Sequence, residues 1–197
     1  MISGFQSLCV PTYNLLTPEQ IKSFHTATLE LLETVGVDVH HDEARQMLAD
    51  AGCRLKEDHR VRIPNWLVEA AIQSAPSRIT IYDRLGNEAM RLEGRRVHYG
   101  PGTDLIKTYD LQTGELRQSR LKDVAAAARI SDALQHIDFI GSYALPGDSP
   151  PNLMYVDSFK TELENSIKPI FYTAAGLEDI TCINAMAAAA VGGQAAL

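Results

Sequence analysis

Val97-His98-Tyr99-Gly100-Pro101-Gly102-Thr103-Asp104, Ile137-Asp138-Phe139-Ile140-Gly141-Ser142-Tyr143 and Pro169-Ile170-Phe171-Tyr172-Thr173-Ala174-Ala175-Gly176 decide the fold. Each is a short apolar run that opens into a polar or glycine-rich loop. A helical pattern follows each: Leu121–Leu134 after an insertion, the stretch around Tyr155–Leu163, and Leu177–Val191. Strand and helix alternating at this period predict an α/β fold with parallel strands and crossover helices. Right-handed crossovers put the helices on one side, so Val97–Tyr99, Ile137–Ile140 and Pro169–Tyr172 are expected as neighbouring parallel strands. In such sheets the loops leaving the strands carry the site.

Working outward, the insertion from Ile106 to Arg117 alternates about Thr113-Gly114, which marks a β-hairpin. Upstream, Arg78–Asp83 and Glu88–Leu92 flank the turn Leu85-Gly86-Asn87 and read as two further strands. Thr17-Pro18-Glu19-Gln20 is a helix start: a capping hydroxyl, then proline at the first helical position. Ile21, Phe24, Leu29, Leu32 and Val35 fall close to one face of that helix, and Gly36 stops it. Asp42 is placed to cap a second helix that carries Ala44, Met47, Leu48 and Ala51 and ends at Gly52. Arg60–Ile63 reads as a short strand, and Asn65 to Ser74 as a third helix with Trp66 and Leu67 inward. The division expected is a helical cap with a small antiparallel sheet over 1–94, then βα units over 95–197, with residues 1–16 irregular.

A formal charge of −7 with scattered basic residues excludes a nucleic-acid footprint, which needs clustered Lys and Arg. The most apolar run, Ala185–Val191, is too short to span a membrane. Cys9, Cys53 and Cys182 are odd in number and far apart, so reduced and mostly buried thiols in a cytoplasmic protein are expected.

Side chains for acid–base or nucleophilic catalysis are scarce. Gly100-Pro101-Gly102 lacks the rest of a phosphate-loop fingerprint and leads into a hairpin, so a sharp bend at a strand mouth is its expected use. Among the histidines only His98 lies beside that loop, and a structural role suits it better than a site role. No metal-ligand spacing is present. Paired carboxylates such as Asp132 with Asp138, or Glu162 with Glu164, read as caps or solvated helix faces. What remains is aromatic: Tyr99, Tyr143 and Tyr172 each sit at or near a strand's C-terminal end, with Asp104 close by. Phenol rings and a carboxylate converging on one mouth could surround a cation. Three tyrosines packed in a barrel core explain the same pattern equally well.

The order of segments resembles the trimethylamine methyltransferase family, including its glycine betaine members. The resemblance rests on Leu31-Leu32-Glu33-Thr34-Val35-Gly36-Val37-Asp38-Val39-His40, then Val61-Arg62-Ile63-Pro64, Ala75-Pro76-Ser77-Arg78 and Tyr82-Asp83-Arg84. It continues through Val97-His98-Tyr99-Gly100-Pro101-Gly102, Asp110-Leu111-Gln112-Thr113-Gly114-Glu115-Leu116-Arg117 and Leu121-Lys122-Asp123-Val124. Such proteins are longer and fold as a (β/α)8 barrel of the TIM type. The resemblance therefore implies the N-terminal part of a barrel, about three βα units, preceded by the helical cap. It implies transfer of a methyl group from a tertiary or quaternary methylated amine to the cobalt of a corrinoid. That cobalamin is carried by a partner protein, so no cofactor or metal is expected on this chain. Tyr99 and Tyr143 are then expected as cage walls, with Asp104 and Tyr172 contributing charge and orientation.

Two other readings stay open: a non-catalytic module that binds methylated amines, and an inactive truncated product. The expected partners are a corrinoid protein and a small methylated amine, with neither nucleic acid nor membrane. An incomplete barrel should also leave an apolar sheet face open, making the isolated chain inactive and prone to aggregation or homo-oligomer formation.

Overall fold

The capping hydroxyl of Thr17 accepts the Gln20 backbone N–H at 3.3 Å, and the Gln20 side chain accepts the Thr17 N–H at 2.9 Å. This reciprocal box contributes about 1 kcal/mol and starts α1 (Pro18–Thr34). The computed structural model describes residues 13–193, so Cys9, the segment before Tyr13 and Gln194–Leu197 lie outside the described residues. The chain divides into two compact units, with the sequence boundary between Pro76 and Ser77.

In the first unit α1 ends where Gly36 turns to φ +82, with the Val61 carbonyl oxygen only 2.3 Å from where a Cβ would stand. β1 (Val37–Asp38), α2 (Asp42–Asp50), β2 (Arg54–Leu55), β3 (Arg60–Arg62) and α3 (Asn65–Ser74) follow. β3 lies between β1 and β2, antiparallel to both, with Val61 fully buried at the centre. Two expectations are corrected here. His41 caps α2, its Nδ1 accepting the Ala44 N–H at 3.3 Å, and Asp42 is already helical. Trp66 is 60% exposed, because its ring lies over the bare Cα of Gly52 at the surface. Of the apolar face of α1 only Leu29 is buried, since a sheet of two- and three-residue strands is too small to cover such a face.

The second unit opens with β4 (Arg78–Tyr82) and β5 (Glu88–Glu93), an antiparallel hairpin. Asp83 Oδ1 closes its turn by accepting the N–H groups of Leu85 and Asn87. A second hairpin, β6 (Lys107–Tyr109) and β7 (Leu116–Gln118), forms where the Thr113-Gly114 alternation places it. Then come α4 (Leu121–Ala133), β8 (Ile140–Gly141), α5 (Met154–Asn165), β9 (Ile170–Phe171) and α6 (Leu177–Ala190). α5 packs against both α4 and α6, over a core that includes Val124, Ala128, Ile140, Phe159 and Ile183.

β8 and β9 are parallel, with Ile140 beside Ile170 and Gly141 beside Phe171. Val97–Tyr99 departs from expectation: it is not a regular strand. Its ladder stops after Tyr99, whose carbonyl accepts the Asp138 N–H at 2.7 Å, because Pro101 has no N–H to continue it. Parallel pairing resumes where Leu105 meets Ala144. Gly141 makes this possible, since a Cβ there would stand 2.9 Å from the Thr103 side chain. Among the described residues the sheets are small and none is closed; Phe171, on β9, is 61% exposed.

Cations finish two of the helices. Lys168 Nζ donates to the carbonyls of Ser131, Leu134 and Ile137 at the end of α4. Arg84 donates to the carbonyls of Leu163 and Ser166 at the end of α5. Positive charge on orphan C-terminal carbonyls complements the helix dipole.

Candidate functional site

The strand registers set the level of each residue in the second unit. Leu105 pairs with Ala144, so Asp104 lies beside Tyr143. Continuing the β8–β9 register past Gly141 and Phe171 sets Tyr143 beside Thr173. Asp104, Tyr143 and Thr173 therefore share one level, just beyond the C-terminal ends of the strands. The side chains confirm it: Thr173 Oγ1 donates to Asp104 Oδ2 at 3.0 Å across the middle strand.

Asp104 is held in the left-handed region at φ +58, a conformation that non-glycine residues keep only where contacts impose it. Its N–H donates to the Ser142 carbonyl at 2.6 Å, which with the Thr173 bond fixes the carboxylate. Its other oxygen, Oδ1, is buried without a hydrogen-bond partner. An acceptor left open in this way is costly unless something meets it.

Behind this level stands a residue expected on a solvated helix face. Glu162 of α5 is 1% exposed. Its Oε1 accepts the Tyr143 N–H at 2.9 Å, and its Oε2 is buried and unpartnered. Burial pushes the Glu162 carboxyl up to about 8; the Tyr143 N–H opposes this and the charge of Asp104 adds to it. The carboxyl is therefore mainly protonated at neutral pH. The sequence held one signal for its burial. Ser158 and Glu162 stand one turn apart on α5 beside Phe159, and all three are buried.

The other expected site residues lie elsewhere. Tyr99 is level with the start of β8, roughly five residues before Tyr143's level, which is on the order of 15 Å of extended chain. Asp138 Oδ2 also accepts the Tyr99 N–H, so the segment is pinned there, and the ring is 64% exposed. Tyr172 packs edge-on to Phe159, ring centroids 5.5 Å apart, and its hydroxyl donates to Asn184 of α6. It is committed to the helix layer. His98 is structural, with Nε2 on the Arg91 carbonyl at 3.2 Å and Nδ1 3.4 Å from the Asp138 carboxylate. Of the described thiols, Cys53 is buried and Cys182 exposed, so burial holds for one only.

The most conspicuous charged motif is architectural. Arg117 Nε donates to Asp110, and Nη1 and Nη2 donate to both oxygens of Asp123 at 2.7 and 2.9 Å. This ties the second hairpin to the first turn of α4, where Asp123 also accepts the Arg120 N–H. The Arg117 guanidinium, helped by N–H groups of the turn, holds the Asp110 carboxyl down at about 2.

No helix among the described residues is long and apolar enough to cross a membrane. A family model for trimethylamine methyltransferase matches residues 5–197. The chain is 33% identical over 180 residues to a trimethylamine methyltransferase of Desulfitobacterium hafniense (strain DSM 10664 / DCB-2), covering 89% of this chain and 36% of that protein. It is 34% identical over 151 residues to one from Methanosarcina barkeri, covering 74% of this chain and 30% of that protein. A glycine betaine methyltransferase of Desulfitobacterium hafniense (strain Y51) is 26% identical over 170 residues, covering 86% and 35%. The chain thus spans about a third of the length of the curated relatives it matches.

Proposed function

The chain belongs to the trimethylamine methyltransferase family, and from that premise we propose that it forms part of an enzyme that removes a methyl group from a tertiary or quaternary amine. The observation that carries the reading is the Asp104 carboxylate, fixed at the strand ends beside Tyr143 and Thr173 with one buried oxygen left open. A carboxylate there favours a quaternary ammonium, or the protonated form of a tertiary amine. In either case the C–N bond breaks with its electron pair on nitrogen, and a neutral amine leaves. No proton has to be supplied in the transfer step. The residues need to hold the cation in line and exclude water. The methyl acceptor in this reading is the cobalt of a corrinoid carried by a separate protein, which supplies the nucleophile.

The short parallel strands are read as the opening strands of a (β/α)8 barrel, whose remaining strand ends complete the mouth. The isolated chain is accordingly expected to bind an ammonium ion and to lack methyl transfer. The test is calorimetry with tetramethylammonium and trimethylammonium, beside a transfer assay with a corrinoid protein. Binding by the wild-type chain and its weakening in D104N support the reading. No binding of either ion overturns it, and binding without transfer in any longer form bearing these strands points to a non-catalytic module.

A further inference from the structure

Two carboxyl groups flank Tyr143 at the strand ends, Asp104 beside it in the ladder and Glu162 on its backbone N–H, and each has one buried oxygen without a partner: Asp104 Oδ1 and Glu162 Oε2. The remaining oxygens are fixed from different parts of the fold, Asp104 Oδ2 by Thr173 and Glu162 Oε1 by the Tyr143 N–H. A proton on Glu162 turns its orphan acceptor into a donor and removes a like charge that would otherwise face Asp104. Resting on the ammonium reading above, we propose that Glu162 is a positioning residue. It is a buried carboxylic acid that holds the Tyr143 backbone in register beside Asp104, so that the carboxylate at the strand ends faces no second negative charge.

The two carboxyls differ in their surroundings. Glu162 is almost fully buried, whereas Asp104 is half-buried and accepts the Thr173 hydroxyl. The charged groups on elements packed against α5 are engaged elsewhere. Arg129 and Asp132 of α4 bind Asn165, Ser166 and Ile167, at and just past the end of α5. Arg84 and Lys168 serve helix-end carbonyls. In the first turn of α6, Asp179 takes the Ala175 N–H and Glu178 is exposed. On α5 itself Lys160 and Glu164 form an exposed pair. Asp104 is the charged group whose field Glu162 feels.

Glutamine reproduces the neutral acid in shape and in its donor, so E162Q should leave the site intact and E162A should not. The experiment follows the Glu162 carboxyl by 13C NMR of the full chain labelled at glutamate Cδ, the signal being assigned by its loss in E162Q. Tetramethylammonium binding is measured on wild type, E162Q and E162A. Expected are a midpoint near 8 in wild type, and a lower one in D104N, where the like charge is gone. E162Q should bind the probe within about twofold of wild type, and E162A at least about fivefold more weakly. A Glu162 midpoint in the ordinary carboxylate range overturns the positioning role, as does E162Q binding as poorly as E162A. In both cases the ammonium site stands. A wild-type chain that titrates as expected but binds no tetramethylammonium overturns the ammonium reading, and this role with it.

Discussion

Two acidic clusters in the same unit are built in opposite ways. Around Arg117, Asp110 and Asp123 find a shared guanidinium, and every contact closes on another. Around Asp104 and Glu162 neither carboxyl has an ion-pair partner among the described residues, and each keeps one buried oxygen unmet. The closed cluster consumes its charge in joining a hairpin to a helix. The open one leaves charge over for something else. A recurring charged motif is therefore weak evidence of a site, and an unmet buried acceptor is stronger evidence.

The contrast breaks most visibly at Arg117. R117A strands two carboxylates at the hairpin–helix junction, and the unfolding midpoint should fall by on the order of 5 °C at pH 7. The loss should shrink in acid. Asp110's carboxyl is depressed in the fold, so its stabilisation is present above the ordinary carboxylate value and disappears as pH falls through about 2. Melting curves from pH 2 to 7 check this, and a gap that stays constant across that range would remove the electrostatic explanation.

Glu162 should behave with the opposite sign. Its carboxyl is raised in the fold, so its contribution is complete below the ordinary value and is lost as pH rises through about 8. Stability should decline by roughly 1 kcal/mol per pH unit within that window, and E162Q should flatten the decline. Denaturant titrations between pH 5 and 9 decide it.

D104N should cost little stability, because it removes a partly unmet buried charge. It should weaken tetramethylammonium binding about fivefold to tenfold, or about 1 kcal/mol. A large loss of stability with unchanged affinity would place Asp104 with the architectural cluster. The smallest effect is expected at Tyr172: Y172F deletes one hydroxyl bond to Asn184, worth about 1 kcal/mol or less, and should leave probe affinity unchanged.

Local chemistry was readable in the sequence wherever one or two residues decide a conformation. Thr17 and Gln20 start α1, and Gly86 and Gly114 mark the two hairpin turns where they were expected. β1 and β2 were not readable, because two-residue strands carry no alternation. His41 and Asp42 could each cap α2, and only geometry chooses. The tyrosine grouping misled because a side chain's level depends on register, and the Gly100–Gly102 bend interrupts the ladder between Tyr99 and Asp104. Glu162 was hidden by its own chemistry, since a glutamate beside Glu164 looks solvated until a packed helix shows which side it faces. The parallel order of β8 and β9 was legible from the strand–helix period; barrel closure lies beyond these short ladders.

The bond from Thr173 to Asp104 joins residues 69 positions apart, whereas both hairpins close within a few residues of their own turns. Contacts of such separation carry a large loop-closure entropy and consolidate after local ones. The hairpins and helices can therefore assemble early while the strand-end carboxylate is still unplaced. Removing the hydroxyl with T173V should then leave the refolding rate nearly unchanged and speed unfolding, the kinetic mark of a contact made after the transition state.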